Sequence, residues 1–398
     1  MKNKLLITTA LVALFSANNA FSQVREDLIV DSQTPISNQG IDEEPYYYKS
    51  IKVEKEGSLN IETSNIKTEQ DITVLGSLDL KNSVFEAGND ADDQPNNSNI
   101  LLDGATVTMN DSDLEANGNI IIKDTNLSST STTPGEYGIW AEGNINVDGG
   151  KLKISDSYLS AEGDIVFNGG THEFTDSDIS SENGSITIKD GNIVGGGFTA
   201  KNGDFNIEGG TVTDNSGSKE QSEATEIKNL NIKGGTLNIA NALADNAENI
   251  NFSGGTTNLT NAEMVTWDGN INISGGEINL KGDDSSETGL AARKELNITG
   301  GTINMSGDDT VIDNIADYKP DDYPAYDLNI NGGTINVTGK QAEISSSKNV
   351  NINGGTINIA EGSTLGIYGG NDQTPTTAQL GSAAILNISG TLDTSLNG

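Results

Sequence analysis

Two acidic pairs carry the clearest chemistry in the chain: Asp283-Asp284 behind Gly282, and Asp308-Asp309 behind Gly307. Each pair begins twelve residues after the start of its repeat, counted from Ile271 and Leu296. Stacked repeats would therefore bring the four carboxylates to about one strand spacing of each other, near 5 Å. Carboxylates that close repel unless water, a cation or a lysine offsets them, and hard oxygen ligands suit Ca²⁺. Lys340 follows the equivalent Gly339 of the next repeat. Calcium is thus the one cofactor these residues suggest, set against a solvated acidic ridge screened by salt. Asp156 and Asp176, flanked by Ser and Thr, form a similar pair; they read as corner residues that bond local backbone.

Other catalytic apparatus has almost no raw material. His172 is the single histidine, Arg25 and Arg293 are the two arginines, and cysteine is absent. Thiolate metal centres, Cys nucleophiles and disulfides are excluded, and Ser/His/Asp or imidazole metal chemistry has only His172 to draw on. Among aromatics, Trp140, Trp267 and Tyr368 are of the type that stacks on sugar rings, although single aromatics in a thin core also serve as packing. With 22 Lys and Arg against 58 Asp and Glu, the formal net charge is -36. A field that negative repels nucleic acid and anionic lipid and attracts cations.

These residues need a scaffold, and the repeat supplies one. Apolar-x-apolar triplets recur at Ile145, Ile165, Ile186, Phe205, Leu230, Ile250, Ile271 and Leu296, 19 to 25 residues apart. A period of that size marks stacked repeats. Most triplets lead into a Gly pair and a second alternating run, as in Leu328 to Val337 around Gly332-Gly333. The span from Ile250 to Trp267 adds a third strand before the turn at Asp268-Gly269. Period-two alternation throughout, with no helical period, predicts an all-β fold: a single right-handed parallel β-solenoid with about three short strands per coil. The hand follows from the general preference of parallel β crossovers. The middle Asn of each triplet is expected to face outward and to form coil-to-coil ladders.

Along the chain, Lys2 and Lys4, the apolar run Leu5 to Phe15 and Ala20-Phe21-Ser22 read as a signal peptide over 1–22. That run is shorter than the roughly 20 residues a membrane span needs, and no later segment is apolar enough, so no transmembrane segment is expected in the mature chain. Residues 23–50 read as a leader that covers the first coil, and 51–398 as the solenoid, with insertions near 88–99 and 308–327. The second insertion contains Tyr318, Tyr323 and Tyr326, candidate ligand-binding residues because loops leaving a rigid scaffold are where binding concentrates. Leu386 to Gly398 is still written as repeat, so a partner or further chain is expected to cover that end.

The Asn-Ile-x-Gly-Gly-Thr-Ile-Asn repeats, the signal peptide and the acidic, Asn/Gly/Ser/Thr-rich composition resemble the passenger regions of Gram-negative autotransporters and related pectin-lyase-like surface adhesins. The resemblance covers roughly 51–396 and implies display at the cell surface and adhesion to host or environmental glycans or proteins. Gly275-Gly276-Glu277-Ile278 with Gly282-Asp283-Asp284, and Gly300-Gly301-Thr302-Ile303 with Gly307-Asp308-Asp309, also resemble secreted β-helix proteins that bind acidic polysaccharides with calcium. Enzymes of that kind commonly use calcium and an Arg or Lys base, a role for which Arg293 and Lys294 are the sole candidates here. The leading expectation is a non-enzymatic, exported adhesive scaffold, extracellular or on the outer-membrane surface, with the periplasm as a further location. A calcium-dependent carbohydrate-binding protein is the alternative, and a polysaccharide lyase the third reading.

Overall fold

The computed structural model describes residues 26–38, 45–88, 97–214, 227–241, 243–244, 247–266, 268–283, 287–314, 324–370 and 379–394. The fold is all-β, a parallel β-solenoid of about 14 turns of roughly 22 residues each, without helix among the described residues. The chain divides into two compact units, Met1–Gly184 with Gly196–Phe198, and Ser185–Gly195 with Thr199–Gly398. The expected signal peptide, 1–22, lies outside the described residues, as does most of the acidic stretch near 88–99.

In the first unit, the triplets lie in one parallel register, pairing Leu28 with Ile51, Ile72, Ile100, Ile120, Ile145 and Ile165 in turn. All seven are buried, and each aliphatic side chain removed from water contributes roughly 1.5–3 kcal/mol. The second strands stack Leu59, Leu78, Val107, Leu127, Leu152 and His172 in the same way. His172 thus occupies an aliphatic column and is fully buried. Its Nδ1 accepts from the Leu152 N–H at 3.3 Å, and its Nε2 lies 2.8 Å from the Gly169 carbonyl. Burial pushes its pKa down, so the lone histidine packs as a neutral core residue.

Part of the stretch expected as a leader is itself a coil. Leu28–Val30, Gln33–Ser37 and Tyr46–Tyr48 pair with Ile51–Val53, Ser58–Glu62 and Asn65–Thr68. Pro35, which interrupts the sequence rhythm, sits opposite Asn60 in a strand described as paired on one side, where a missing N–H is tolerated.

In the second unit the triplet column runs Phe205, Leu230, Ile250, Ile271, Leu296, Leu328 and Val350. The middle residues alternate outward, and Asn231, Asn251, Asn272, Asn297, Asn329 and Asn351 each donate Nδ2–H to the preceding coil's Asn at 2.9–3.4 Å. A second ladder, Asn258, Asn279, Asn304, Asn336, Asn358 and Asn387, runs at 2.7–2.9 Å. Between the ladders the chain turns at the Gly pairs. Gly276 has φ 81, and a Cβ there would come within 2.6 Å of the Gly254 carbonyl oxygen, so both its backbone angle and the coil beneath require glycine.

The insertion expected over 308–327 is shorter at its start, because Thr310–Asn314 is a regular strand. Its Thr310, Ile312 and Asn314 face inward and are buried. Two polar residues in the inward positions hid this strand in the sequence.

Candidate functional site

The site is built on the third strand of successive coils in the second unit. Glu263–Thr266, Thr288–Ala292, Thr310–Asn314, Ala342–Ser346, Thr364–Gly369 and Thr391–Thr394 pair in parallel as neighbours of one sheet. Met264, Leu290, Ile312, Ile344 and Ile367 share a register and are buried in the core. The pleat then sends the residues on either side of this column to the opposite face. One row there reads Glu263, Gly289, Val311, Glu343, Gly366, Asp393, and the other Val265, Ala291, Asp313, Ser345, Tyr368. Neither row contains a basic residue.

Glycine shapes this face. A Cβ on Gly366 would lie 2.5 Å from Tyr368 Cε2 and 2.7 Å from its hydroxyl oxygen; the Tyr368 ring folds back over the bare backbone of its own strand. The phenol is hydrogen-bonded to Asp393, and its pKa is raised by desolvation and by the Asp393 and Glu343 carboxylates. Beside the ring lies a cavity of about 490 Å³, within the range in which proteins hold small ligands. Its polar wall is Glu287, Asp309, Gln341, Glu343 and Thr364, with Tyr368 at one side, and none of its lining residues is basic.

The electrostatics follow from that composition. Burial, and then the Glu287, Glu263 and Glu343 carboxylates, push the Asp313 carboxyl up to about 8. Its Oδ1 is buried without a hydrogen-bond partner. Glu287 is raised by burial and by Glu343 and Asp309. The face is therefore acceptor-rich and short of positive charge. It can receive hydrogen bonds from hydroxyl or amine donors beside an aromatic ring.

The residues singled out by spacing divide differently. Gly282 and Gly307 pair in register, so Asp283 and Asp308 do follow one another on adjacent coils. Their carboxylates, however, turn to different neighbours. Asn261 Nδ2 donates to Asp283 at 2.7 Å, while Lys340 Nζ lies 3.2 Å from Asp308. Asp309 has φ 52, a left-handed corner residue like Asp156 and Asp176 at φ 52 and 47, and it lines the cavity instead. Asp284 lies outside the described residues. Among the described residues, which do not include Asp284, no three His, Asp or Glu side chains are grouped to hold one metal ion.

Tyr318, Tyr323 and Trp267 also lie outside the described residues. Tyr326 is half-buried and anchored through its backbone: its carbonyl accepts from Asn314 Nδ2 at 2.7 Å and Ser346 Oγ at 3.0 Å. Glu287, Asp313, Gln341, Glu343 and Thr364 escaped sequence reading. The buried column Met264, Leu290, Ile312, Ile344, Ile367 was the alignment that would have revealed them, but linkers of unequal length separate its members.

No curated protein and no solved structure matches the chain. Residues 264–393 match the model of a family described as carbohydrate-binding domain-containing protein, the same segment that supplies the strands, the cavity and Tyr368, so the comparison and the β-solenoid are together consistent with a carbohydrate-interacting scaffold.

Proposed function

We propose that the chain is an exported, non-catalytic scaffold that binds carbohydrate on the 263–394 face. The observation that carries this reading is the coincidence of the family match, 264–393, with the cavity beside Tyr368. Tyr368 supplies a rigid ring for the apolar face of a sugar, and Gln341, Glu343 and Thr364 supply hydrogen bonds that fix its orientation. Parallel strands hold these groups at a spacing of about 4.8 Å, so successive coils meet an extended glycan at regular intervals. Residues 1–22 support export, and the repeat's resemblance to passenger regions supports display at a Gram-negative surface, where glycan binding would serve adhesion.

Isothermal titration against a panel of neutral, acidic and amino-sugar oligomers tests the reading. Tyr368→Ala is expected to weaken binding by about tenfold or more, equivalent to about 1.4 kcal/mol, without loss of β-sheet circular dichroism. Binding that survives Tyr368→Ala and Glu343→Gln unchanged would remove this face from the proposal. The same incubations are expected to yield no new reducing ends; a product with the absorbance of an unsaturated uronide would support a lyase instead.

A further inference from the structure

We propose that the first unit carries a second glycan-binding face, built on Trp140 and Tyr158 and suited to pyranose chains without carboxylates. It lies outside the family match and shares no residue with the 263–394 face.

Third strands build this face too. Tyr46–Tyr48, Asn65–Thr68, Val84–Ala87, Asp113–Ala116, Gly138–Ala141 and Tyr158–Ala161 pair in parallel, coil upon coil. Ile66, Phe85, Leu114, Ile139 and Leu159 form their buried column, so the residues on either side of it face away from the core. One outward row reads Tyr47, Lys67, Glu86, Glu115, Trp140, Ser160. Trp140 is half-buried there, next to Ile139 but on the other side of the pleat, so core packing does not account for its indole.

The second outward row fixes a companion ring. Gly138 pairs with Tyr158, and a Cβ on Gly138 would lie 2.7 Å from Tyr158 Cγ; the ring leans back over the bare strand of the preceding coil. The Tyr158 hydroxyl donates to Asp113 Oδ1 at 3.3 Å, one coil further on, and the same oxygen accepts from the Gly138 N–H at 3.0 Å. Gly138 and Trp140 are two residues apart on one face of one strand, about 6.6 Å, so the phenol rests beside the position from which the indole projects. A ring fixed in advance loses little freedom when a sugar binds. The arrangement repeats that of the second unit, where Tyr368 folds over Gly366 and bonds Asp393, within the segment that matches the carbohydrate-binding family.

Charge selects the class of sugar. Lys67 Nζ lies 2.5 Å from Glu86, with the two side chains only 13% and 5% exposed, so these charges offset each other. Burial, and then Asp113 and Glu115, push the Tyr158 pKa up, which puts both carboxylates near the ring. A carboxylate accepts several hydrogen bonds; this pair suits sugar hydroxyls and repels a uronate.

Trp140 reports on the site directly. In the full chain carrying Trp267→Phe it is the one tryptophan left of two. Titration with β-1,4-glucose and β-1,4-mannose hexamers is expected to shift and saturate its emission with at least one of them, while a galacturonate hexamer binds at least about tenfold more weakly. Tyr158→Ala is expected to weaken that titration by about tenfold or more, and Tyr368→Ala to leave it unchanged. Calorimetry of the natural chain with the same hexamer gives a second measurement that does not need the Trp267 substitution: Trp140→Ala is expected to remove one class of sites and keep the β-sheet circular dichroism. An emission that neither neutral hexamer changes, or that Tyr368→Ala silences, would overturn this face, and so would tighter binding of the galacturonate hexamer. Calorimetric binding lost in Tyr368→Ala but untouched by Trp140→Ala would overturn it and leave the 263–394 reading standing; the converse would overturn the 263–394 reading alone.

Discussion

Asp313 occupies a strand position flanked in register by Ala291 and Ser345, and its carboxyl titrates near 8 because it is buried among other acids. An ordinary Asp in the unfolded chain titrates near 3.9. Between those values the folded state holds a proton that the unfolded state has lost, so the native state is favoured below about pH 4 and this contribution disappears as pH rises through 8. Thermal midpoints measured from pH 5 to pH 9 should therefore fall with pH, and Asp313→Asn should flatten the decline. The gain at pH 9 is expected to be on the order of a few kcal/mol, read by urea unfolding at the two pH values. His172 makes the opposite case at the same scale: burial in the Leu59–Leu152 column lowers its pKa, and it has no part in the site.

At the scale of the element, corners and ladders determine whether a coil closes on the next. Gly276 and Gly362 have nearly the same backbone angle, φ 81 and 80, but a Cβ on Gly276 would meet a carbonyl oxygen at 2.6 Å, whereas one on Gly362 meets nothing within 4 Å. Gly362→Ala is expected to cost about 1–2 kcal/mol, the left-handed penalty alone. Gly276→Ala adds a backbone collision worth about 1–3 kcal/mol more, and chemical denaturation of the two variants isolates that difference. In the second ladder Asn304 donates to Asn279 at 2.7 Å and accepts from Asn336 at 2.8 Å. Asn304→Ala removes both of these and the exposed bond that Asn304 donates to Glu277 at 3.1 Å, with an expected loss of about 1–2 kcal/mol, measured as a shift in urea midpoint. A variant with unchanged midpoint would show that water replaces the ladder without cost.

For the whole molecule, charge is the dominant property. With 58 acidic and 22 basic side chains, self-repulsion opposes folding and is screened over a Debye length of about 8 Å at physiological ionic strength. The melting temperature of the chain should rise with added NaCl. At matched ionic strength, Ca²⁺ is expected to act no differently, because Asp308 is offset by Lys340 and Asp283 by Asn261. A calcium-specific rise that disappears in an Asp283→Asn, Asp308→Asn variant would instead establish a metal site at that corner, since a ligand held only by the native state must raise the midpoint.

The amino-acid sequence by itself determined the repeat, the three-strand coil, the inward aliphatic columns and the outward Asn rows, because each depends on alternation within a few residues and on a period that recurs. It also exposed the Gly corners and the lysine at 340 that meets Asp308. Tertiary structure alone decided the site. Glu263, Asp313, Glu343, Tyr368 and Asp393 are separated by linkers of unequal length, and only the pairing of Met264, Leu290, Ile312, Ile344 and Ile367 brings them to neighbouring strands. Register in a parallel stack is set by burial of that column against the core, a contact between coils that no local pattern encodes. The same reason explains the acidic pairs. Their spacing placed Asp283 beside Asp308, but the direction each carboxylate takes, and the turn of Asp309 toward the cavity, depend on what the adjacent coils present.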